Sequence, residues 1–186
     1  MRSVIDTHHH LWNYNREEYG WMDDTMKALR RDYLVEELEN VCEQEGVSGT
    51  VAVQARQSLK ETEWLLSIAE KNERIKGVVG WVDLRSSSLG DQLDALVAHP
   101  KFAGIRHVLQ DEPDKKLMLT PSFMQGIAQL KPRNLTYDLL IHHDQLSYAA
   151  ELAGNFPEQK FILDHLGKPP IRSGRIQPWQ KHLEQL

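Results

Sequence analysis

Short apolar runs rich in β-branched residues alternate with longer amphipathic segments, and this alternation constrains the fold more than any other feature of the chain. The apolar runs predict six strands: Val4–Thr7, Thr50–Gln54, Val78–Val82, Gly104–Leu109, Thr136–Ile141 and Phe161–Asp164. Apolar residues three or four apart predict the intervening helices: Tyr33–Glu45, Glu61–Lys71, Leu89–Ala98, Ser122–Leu130 and Gln145–Ala153. Successive strands lie about 25–30 residues apart, which is the length of one βα unit.

The strands are apolar almost throughout, which indicates a parallel α/β sheet covered by helices on its faces. Six βα units in succession suit either a (β/α) barrel or a doubly wound sheet. No Gly-x-Gly-x-x-Gly turn follows the first strand, and this weakens the dinucleotide-binding version of the second fold. The sequence has no low-complexity segment and no linker, so we predict a single domain over residues 1–186.

The length of the chain bears on the barrel interpretation. Eight βα units need about 250 residues, whereas the 186 residues here accommodate six. The last segment, residues 178–186, places Trp179, Leu183 and Leu186 on one helical face without a C-cap signal after them. We therefore predict a TIM (β/α)8 barrel that is truncated after about six units, with the last two units missing.

Composition excludes several classes of partner. The net charge of −5 gives no electrostatic reason to expect nucleic acid or an anionic membrane. No apolar run is long enough to span a bilayer. The single cysteine, Cys42, rules out an internal disulfide framework and suits the reducing cytoplasm.

The first strand runs into three consecutive histidines. Side chains alternate along a strand, so His8 and His10 share one face. Two imidazoles so placed can hold one metal ion or one substrate oxygen. The alternative is a tag remnant or a solvated turn, but tags are usually longer and do not follow Val-Ile-Asp.

Histidines recur at the ends of the other predicted strands. Seven of the nine lie at or just past a carboxyl-terminal strand end, namely His8, His9, His10, His107, His142, His143 and His165. In a barrel these strand ends and the loops after them form the active site. This clustering indicates an enzyme.

Two further strand ends carry polar candidates. Arg106 and His107 are neighbours in a strand, so at most one of them points into the barrel. An inward Arg106 would offer a fork for a carboxylate or a carbonyl that gains negative charge, while a surface salt bridge is the alternative. His165 suits a third metal ligand or a neutral donor, and Asp164 suits orienting a neighbour or capping the turn.

Gln54 and Trp81 lie at the ends of the second and third predicted strands, and the sequence leaves two roles open for each of them. Gln54 is either a polar substrate contact or an ordinary loop hydrogen-bonding group. Trp81 is either a packing residue or the floor of a pocket. The aromatic segment Trp12–Trp21 is long enough for a functional lid, and its polar aromatics suit stacking on a sugar-like ring.

Several motifs together resemble one family. They are Ile5-Asp6-Thr7-His8-His9-His10-Leu11-Trp12, Val53-Gln54-Ala55, Gly77-Val78-Val79-Gly80-Trp81-Val82-Asp83-Leu84, Gly104-Ile105-Arg106-His107-Val108-Leu109-Gln110 and Leu163-Asp164-His165-Leu166-Gly167-Lys168-Pro169. In this order they resemble the amidohydrolase-related family of TIM-barrel lactonases. That family includes L-fuconolactone and L-rhamnonolactone hydrolases and 2-pyrone-4,6-dicarboxylate lactonase.

The resemblance implies a role for each matching residue. His8 and His10 would face the active centre as metal ligands, Arg106 would bind or polarise the substrate carbonyl or carboxylate, and His165 would be the catalytic histidine of the sixth strand. From their positions at the strand ends, and not from the resemblance, we also expect substrate contacts from Gln54, Trp81, His107, His142 and His143. The pair His142-His143 departs from the relatives, which indicates a different substrate preference. Metal use varies in the family, so one divalent ion, zinc first, and metal-independent action both stay open.

The resemblance also implies a reaction and its rivals. Activated water would open a sugar-acid lactone or a related small carboxylate, in a protein that could form a homo-oligomer. Relatives place the general-base aspartate at the eighth strand, which this sequence does not reach, so we expect little activity from the 186 residues alone. A metal-dependent decarboxylase of the same superfamily is one alternative. The other is an inactive truncated barrel that binds a ligand or associates with another chain.

Overall fold

The computed structural model describes residues 3–186, which fall into two compact units. The first unit comprises the chain up to Trp81 together with His99–Phe102, and the second comprises Val82–Ala98 and Ala103–Leu186. Both units alternate parallel strands with helices, as the sequence predicts. The single domain over the whole chain stays a prediction.

The first unit contains three parallel strands and two helices. The strands are β1 (Ile5–His9), β2 (Gly49–Val53) and β3 (Ile75–Gly80), and the helices are α1 (Val35–Glu45) and α2 (Leu59–Lys71). Strand β2 pairs in parallel with both β1 and β3. The register of β1 against β2 shifts between Asp6 and His9, directly before the histidine run leaves the strand.

The second unit contains the rest of the regular structure. Its strands are β4 (Phe102–Val108, beginning at the last residue of the first unit), β5 (Thr136–Leu140) and β6 (Phe161–Leu163). Its helices are α3 (Leu89–Val97), α4 (Pro121–Ile127), α5 (Leu146–Asn155) and α6 (Gln177–Leu183). Strand β5 pairs in parallel with both β4 and β6. The six predicted strands and the predicted helices are therefore confirmed, with bounds that move by a few residues.

The larger shifts in the bounds come from pairing with distant parts of the chain. Strand β3 begins at Ile75, three residues before the predicted start, because pairing of Ile75 with Thr50 extends the strand past the polar Lys76. Helix α1 begins after Tyr33, because the backbone N–H of Tyr33 donates to the carbonyl of Trp12 at 2.9 Å instead of entering the helix. Backbone hydrogen bonds formed across the chain thus decide both ends.

The aromatic segment after β1 packs mainly on itself. Trp12, Tyr19 and Met22 are buried in one cluster, against which Tyr14 and Tyr33 pack. The Tyr19 hydroxyl donates to the buried carboxylate of Glu61 at 3.1 Å. The rings of Trp12 and Tyr19 pack against each other and against Tyr33 and Tyr14, so the prediction that these aromatics stack on a sugar-like ring is wrong for the two residues.

No helix within residues 3–186 is long and apolar enough to cross a membrane.

Two helical glycines of the second unit give opposite expectations for stability. A Cβ at Gly126 in α4 would lie 2.2 Å from the backbone oxygen of Leu84, whereas a Cβ at Gly154 in α5 would have nothing within 4 Å. We expect Gly126→Ala to lower the free energy of unfolding by about 1–3 kcal/mol through overpacking. Gly154→Ala, the matched control, should change it by less than about 1 kcal/mol and in the stabilising direction. Urea denaturation measures both, and equal effects would contradict the close packing of α4.

Candidate active site

The end of β1 brings His8 and His10 together. Their rings meet edge to face with centroids 5.0 Å apart, as expected for side chains two residues apart on one strand face. His9 points elsewhere: its Nε2 lies 3.1 Å from the hydroxyl of Thr50 on β2. Burial lowers the pKa of His9 to about 4, so this ring is neutral at neutral pH.

One hydrogen bond orients His10. Its Nδ1 lies 2.7 Å from the carbonyl oxygen of Val53, the last residue of β2. Because a carbonyl only accepts, Nδ1 carries the proton, and in the neutral ring Nε2 then carries a lone pair. This tautomer, fixed by a backbone carbonyl, is the usual state of a histidine that ligates a metal. The donor chemistry at the end of β1 therefore fits a divalent ion such as zinc.

Gln54 and Trp81 follow their strands as the sequence predicts. Gln54 is completely buried, and its backbone N–H donates to the carbonyl of Val79 at 2.9 Å. Trp81 is held through its backbone, where N–H donates to the hydroxyl of Thr62 at 2.8 Å and the carbonyl accepts from it at 2.9 Å. Thr62 thereby fixes the chain directly after β3.

In the second unit a buried ion pair lies at the strand ends. Nη1 of Arg106 on β4 donates to Oδ2 of Asp164, directly after β6, at 2.9 Å. Only 4% of the Arg106 side chain and 2% of the Asp164 side chain are exposed. Arg106 is thus no surface salt bridge, and Asp164 orients a neighbour, which is one of the two roles that the sequence suggests for it.

A second buried carboxyl accompanies this pair. Asp138 lies in β5, directly opposite Arg106 of the paired strand β4, and only 3% of Asp138 is exposed. Residues opposite each other in neighbouring strands project from the same face of the sheet. Burial and the nearby Asp164 carboxylate raise the pKa of Asp138 to about 7, against the opposing influence of Thr136 and Arg106.

His107 lies on the other face of β4. Its ring contacts Phe123 of α4 edge to face at 5.7 Å, and its Nε2 lies 2.7 Å from a carboxylate oxygen of Glu112. Burial lowers the pKa of His107, and the hydrogen bond to Glu112 works against that shift. His107 thus faces α4, and its neighbour Arg106 projects from the opposite face of the sheet.

The segment after β6 has an unusual backbone. His165, Leu166, Gly167 and Lys168 all have positive φ values, 51°, 53°, 65° and 49° respectively. A left-handed conformation costs an ordinary L-residue roughly 1–2 kcal/mol. Strain of this kind is concentrated at functional sites. The turn keeps Asp164 buried while it turns His165 to the surface.

Lys168 ends this left-handed turn, and its ammonium group donates to Oε1 of Gln110, which follows β4. Burial lowers the pKa of Lys168, while Asp111 opposes the shift.

His142 and His143 follow β5. The backbone N–H of His142 donates to Oε1 of Gln145 at 3.1 Å, and Gln145 in turn donates to the carbonyl of Leu109 at 2.9 Å. Burial lowers the pKa of His142, and Lys168 and Lys115 lower it further. The three strand ends of the second unit are therefore tied together by Gln145, Lys168 and Asp164.

Sequence reasoning missed Asp138 and Lys168. Asp138 interrupts the apolar run Tyr137–Ile141, and a charged residue inside a buried strand is a signal that could have been read from the sequence. Lys168 lies inside the motif that begins at Leu163, but nothing in the pattern reveals its left-handed backbone or its contact with Gln110.

Comparison with known proteins places this geometry in a family. Residues 5–186 match the Amidohydrolase family. Over 186 residues the chain is 33% identical to an L-fucono-1,5-lactonase of Burkholderia ambifaria, covering 100% of this chain and 64% of the relative. It is 36% identical over 168 residues to the L-fucono-1,5-lactonase of Burkholderia multivorans, covering 90% of this chain and 56% of that protein.

Solved structures agree with the sequence comparison. An amidohydrolase from Burkholderia multivorans with bound zinc has a TM-score of 0.92 and 34% identity, covering 100% of this chain and 66% of that one. A probable 2-pyrone-4,6-dicarboxylic acid hydrolase of Acinetobacter baumannii has a TM-score of 0.75 at 18% identity, which supports the fold alone. The chain belongs to the amidohydrolase family and has its α/β TIM-barrel fold, and it spans less than two thirds of the length of these lactonase relatives.

The buried ion pair predicts a large effect on stability. Arg106→Met would leave Asp164 buried without its ion-pair partner, beside Asp138. Removing one partner of a buried pair costs about 3–5 kcal/mol of unfolding free energy. Arg85→Met is the control, because the Arg85–Asp83 pair is 40% and 41% exposed and such pairs contribute about 0–1 kcal/mol. Urea denaturation at neutral pH distinguishes them, and equal losses would show that the Arg106 pair is unimportant for stability.

Proposed function

We propose that this protein is a lactonase that hydrolyses a sugar-acid lactone. The single observation that carries the proposal is the identity of about one third to L-fucono-1,5-lactonases, which extends over the whole chain in one case. The buried guanidinium of Arg106, which Asp164 holds at the strand ends of the second unit, supports it.

The reaction is addition of water to the ring carbonyl carbon, followed by cleavage of the bond from that carbon to the ring oxygen. The ring oxygen leaves as a hydroxyl group after taking up a proton, and the product is an open hydroxy acid. In our proposal Arg106 donates to the carbonyl oxygen as negative charge develops on it. Asp164 holds the guanidinium at 2.9 Å, so that the donor needs little reorganisation when charge appears.

His165 is the second residue that we assign to the reaction. Its left-handed backbone brings His165 to the surface, where a ring nitrogen lies within 4.8 Å of a carboxylate oxygen of Asp164. We propose that it donates a hydrogen bond to the substrate from this position. In the family that the sequence resembles, the general base is an aspartate at the eighth strand. We assign that role to no residue of this chain.

His8 and His10 would hold a divalent metal ion, with zinc as the first candidate. The closely placed rings and the tautomer of His10 support the assignment. Such an ion acts as a Lewis acid that polarises the carbonyl and lowers the pKa of water.

The remaining residues would bind the substrate. We assign this role to Gln54, Trp81, His142 and His143 directly. His107 would influence substrate binding indirectly, by holding Glu112 in place, since its own ring lies on the α4 side of β4. The other expectations also stay proposals: a small-molecule partner, a homo-oligomer and a cytoplasmic location.

Activity against defined lactones tests the proposal. We expect the purified, zinc-supplemented protein to release acid from L-fucono-1,5-lactone in a pH-indicator assay, at a low rate because no residue of this chain is assigned as general base. Arg106→Lys, which keeps the charge but loses the planar fork, should lower kcat by about 10²–10³. Arg85→Lys, at an exposed site, should leave kcat unchanged. Failure to open any six-membered sugar lactone would refute the lactonase assignment.

Metal content tests the role of the β1 histidines separately. We expect His8→Ala and His10→Ala each to reduce bound zinc at least about tenfold in elemental analysis after dialysis. His99→Ala is the matched control, because His99 is exposed at the end of α3. Equal zinc content in the three variants would place the metal elsewhere or remove it from the proposal.

A further inference from the structure

The ion pair of Arg106 has a neighbour that the proposed reaction does not use. Asp138 is almost completely buried in the middle of β5, where a charged side chain is costly. In the parallel ladder it pairs with Arg106 on one side and with Ile162 of β6 on the other. Neighbouring strands lie about 4.8 Å apart, which brings the Asp138 carboxyl beside the guanidinium.

The surroundings of Asp138 contain few groups that can neutralise it. Within residues 3–186, the cation that acts on Asp138 is Arg106 on β4, and Asp164 after β6 is a competing anion that already binds Arg106 at 2.9 Å. On its own strand the Thr136 hydroxyl donates to Oδ1 of Asp138 at 3.2 Å, and the neighbouring phenol of Tyr137 is fully buried. Two carboxylates therefore share one guanidinium, and a proton on one of them makes the cluster neutral.

We propose that Asp138 is a positioning residue whose proton controls how much of the Arg106 charge is available to the substrate. As a neutral acid, Asp138 leaves the guanidinium to Asp164 and to the lactone carbonyl oxygen. When Asp138 loses its proton to solvent, the new carboxylate competes for the same guanidinium. The proposal rests on the lactonase function proposed above, and it adds a pH dependence to that function.

The sign of the pH dependence follows from this competition. The productive form carries the proton, so kcat/KM falls as the pH rises through the Asp138 pKa of about 7. Asp138→Asn keeps a neutral side chain of nearly the same shape and should abolish this fall in kcat/KM at alkaline pH. Thr136→Val removes the hydrogen bond that favours the carboxylate and should therefore move the fall in kcat/KM to higher pH.

Infrared titration of the carboxylic acid band measures the proton without any substrate. We expect a band that titrates near neutral pH, is absent from Asp138→Asn and persists in the control Asp91→Asn, at an exposed position of α3. Two neighbours should move its midpoint in opposite directions. Asp164→Asn should lower the midpoint, because it removes a negative neighbour, and Arg106→Met should raise it, because it removes the positive one.

The outcomes separate the two proposals. If no lactone is hydrolysed but the infrared midpoint moves as expected, the lactonase function fails while the Asp138–Arg106 coupling stands. If lactones are hydrolysed and Asp138→Asn has the same pH profile as the unaltered protein, the role of Asp138 is overturned. A midpoint that shifts in the same direction in Asp164→Asn and Arg106→Met would also overturn it. Arg106→Lys, which keeps the charge, replaces Arg106→Met if that variant does not fold, and it should leave the midpoint nearly unchanged.

Discussion

The ion pair between Arg106 and Asp164 is the interaction on which the second unit depends. It joins the end of β4 to the residue after β6, with β5 between them. Both side chains are almost completely withdrawn from water, so neither can be changed without leaving a buried charge. A strand-end arginine held in this way is prepared to stabilise a developing negative charge, which is the chemistry that we propose for the protein.

The strained turn after β6 is a second consequence of that pair. Four consecutive left-handed residues, 165–168, reverse the chain sharply enough for Asp164 to stay buried while His165 reaches the surface. The contact of Lys168 with Gln110 and that of Asp164 with Arg106 both anchor the turn to the end of β4. The strain is maintained by these polar contacts, and it presents two chemically different groups from adjacent positions.

Much of the fold could be predicted from local pattern, and the details of the site could not. Within residues 3–186, apolar periodicity located the six strands and the α-helices but not the short 3-10 helices, because burial of one face depends on spacing along the chain. Proximity in sequence also predicted that His8 and His10 share a face, which their ring contact confirms. The prediction for the aromatic segment was wrong for Trp12 and Tyr19, because their packing involves Tyr33 and Glu61, at separations that a local pattern does not encode.

By itself the sequence determined the βα alternation, the histidines at the strand ends and the resemblance to one family, since each of these is written in residue order. Tertiary structure decided which of Arg106 and His107 faces away from the helices, the partner of Asp164 and the backbone of residues 165–168. It also placed Asp138 opposite Arg106. The physical reason is that strand register and burial set these contacts, and both arise only when residues distant in sequence pack together.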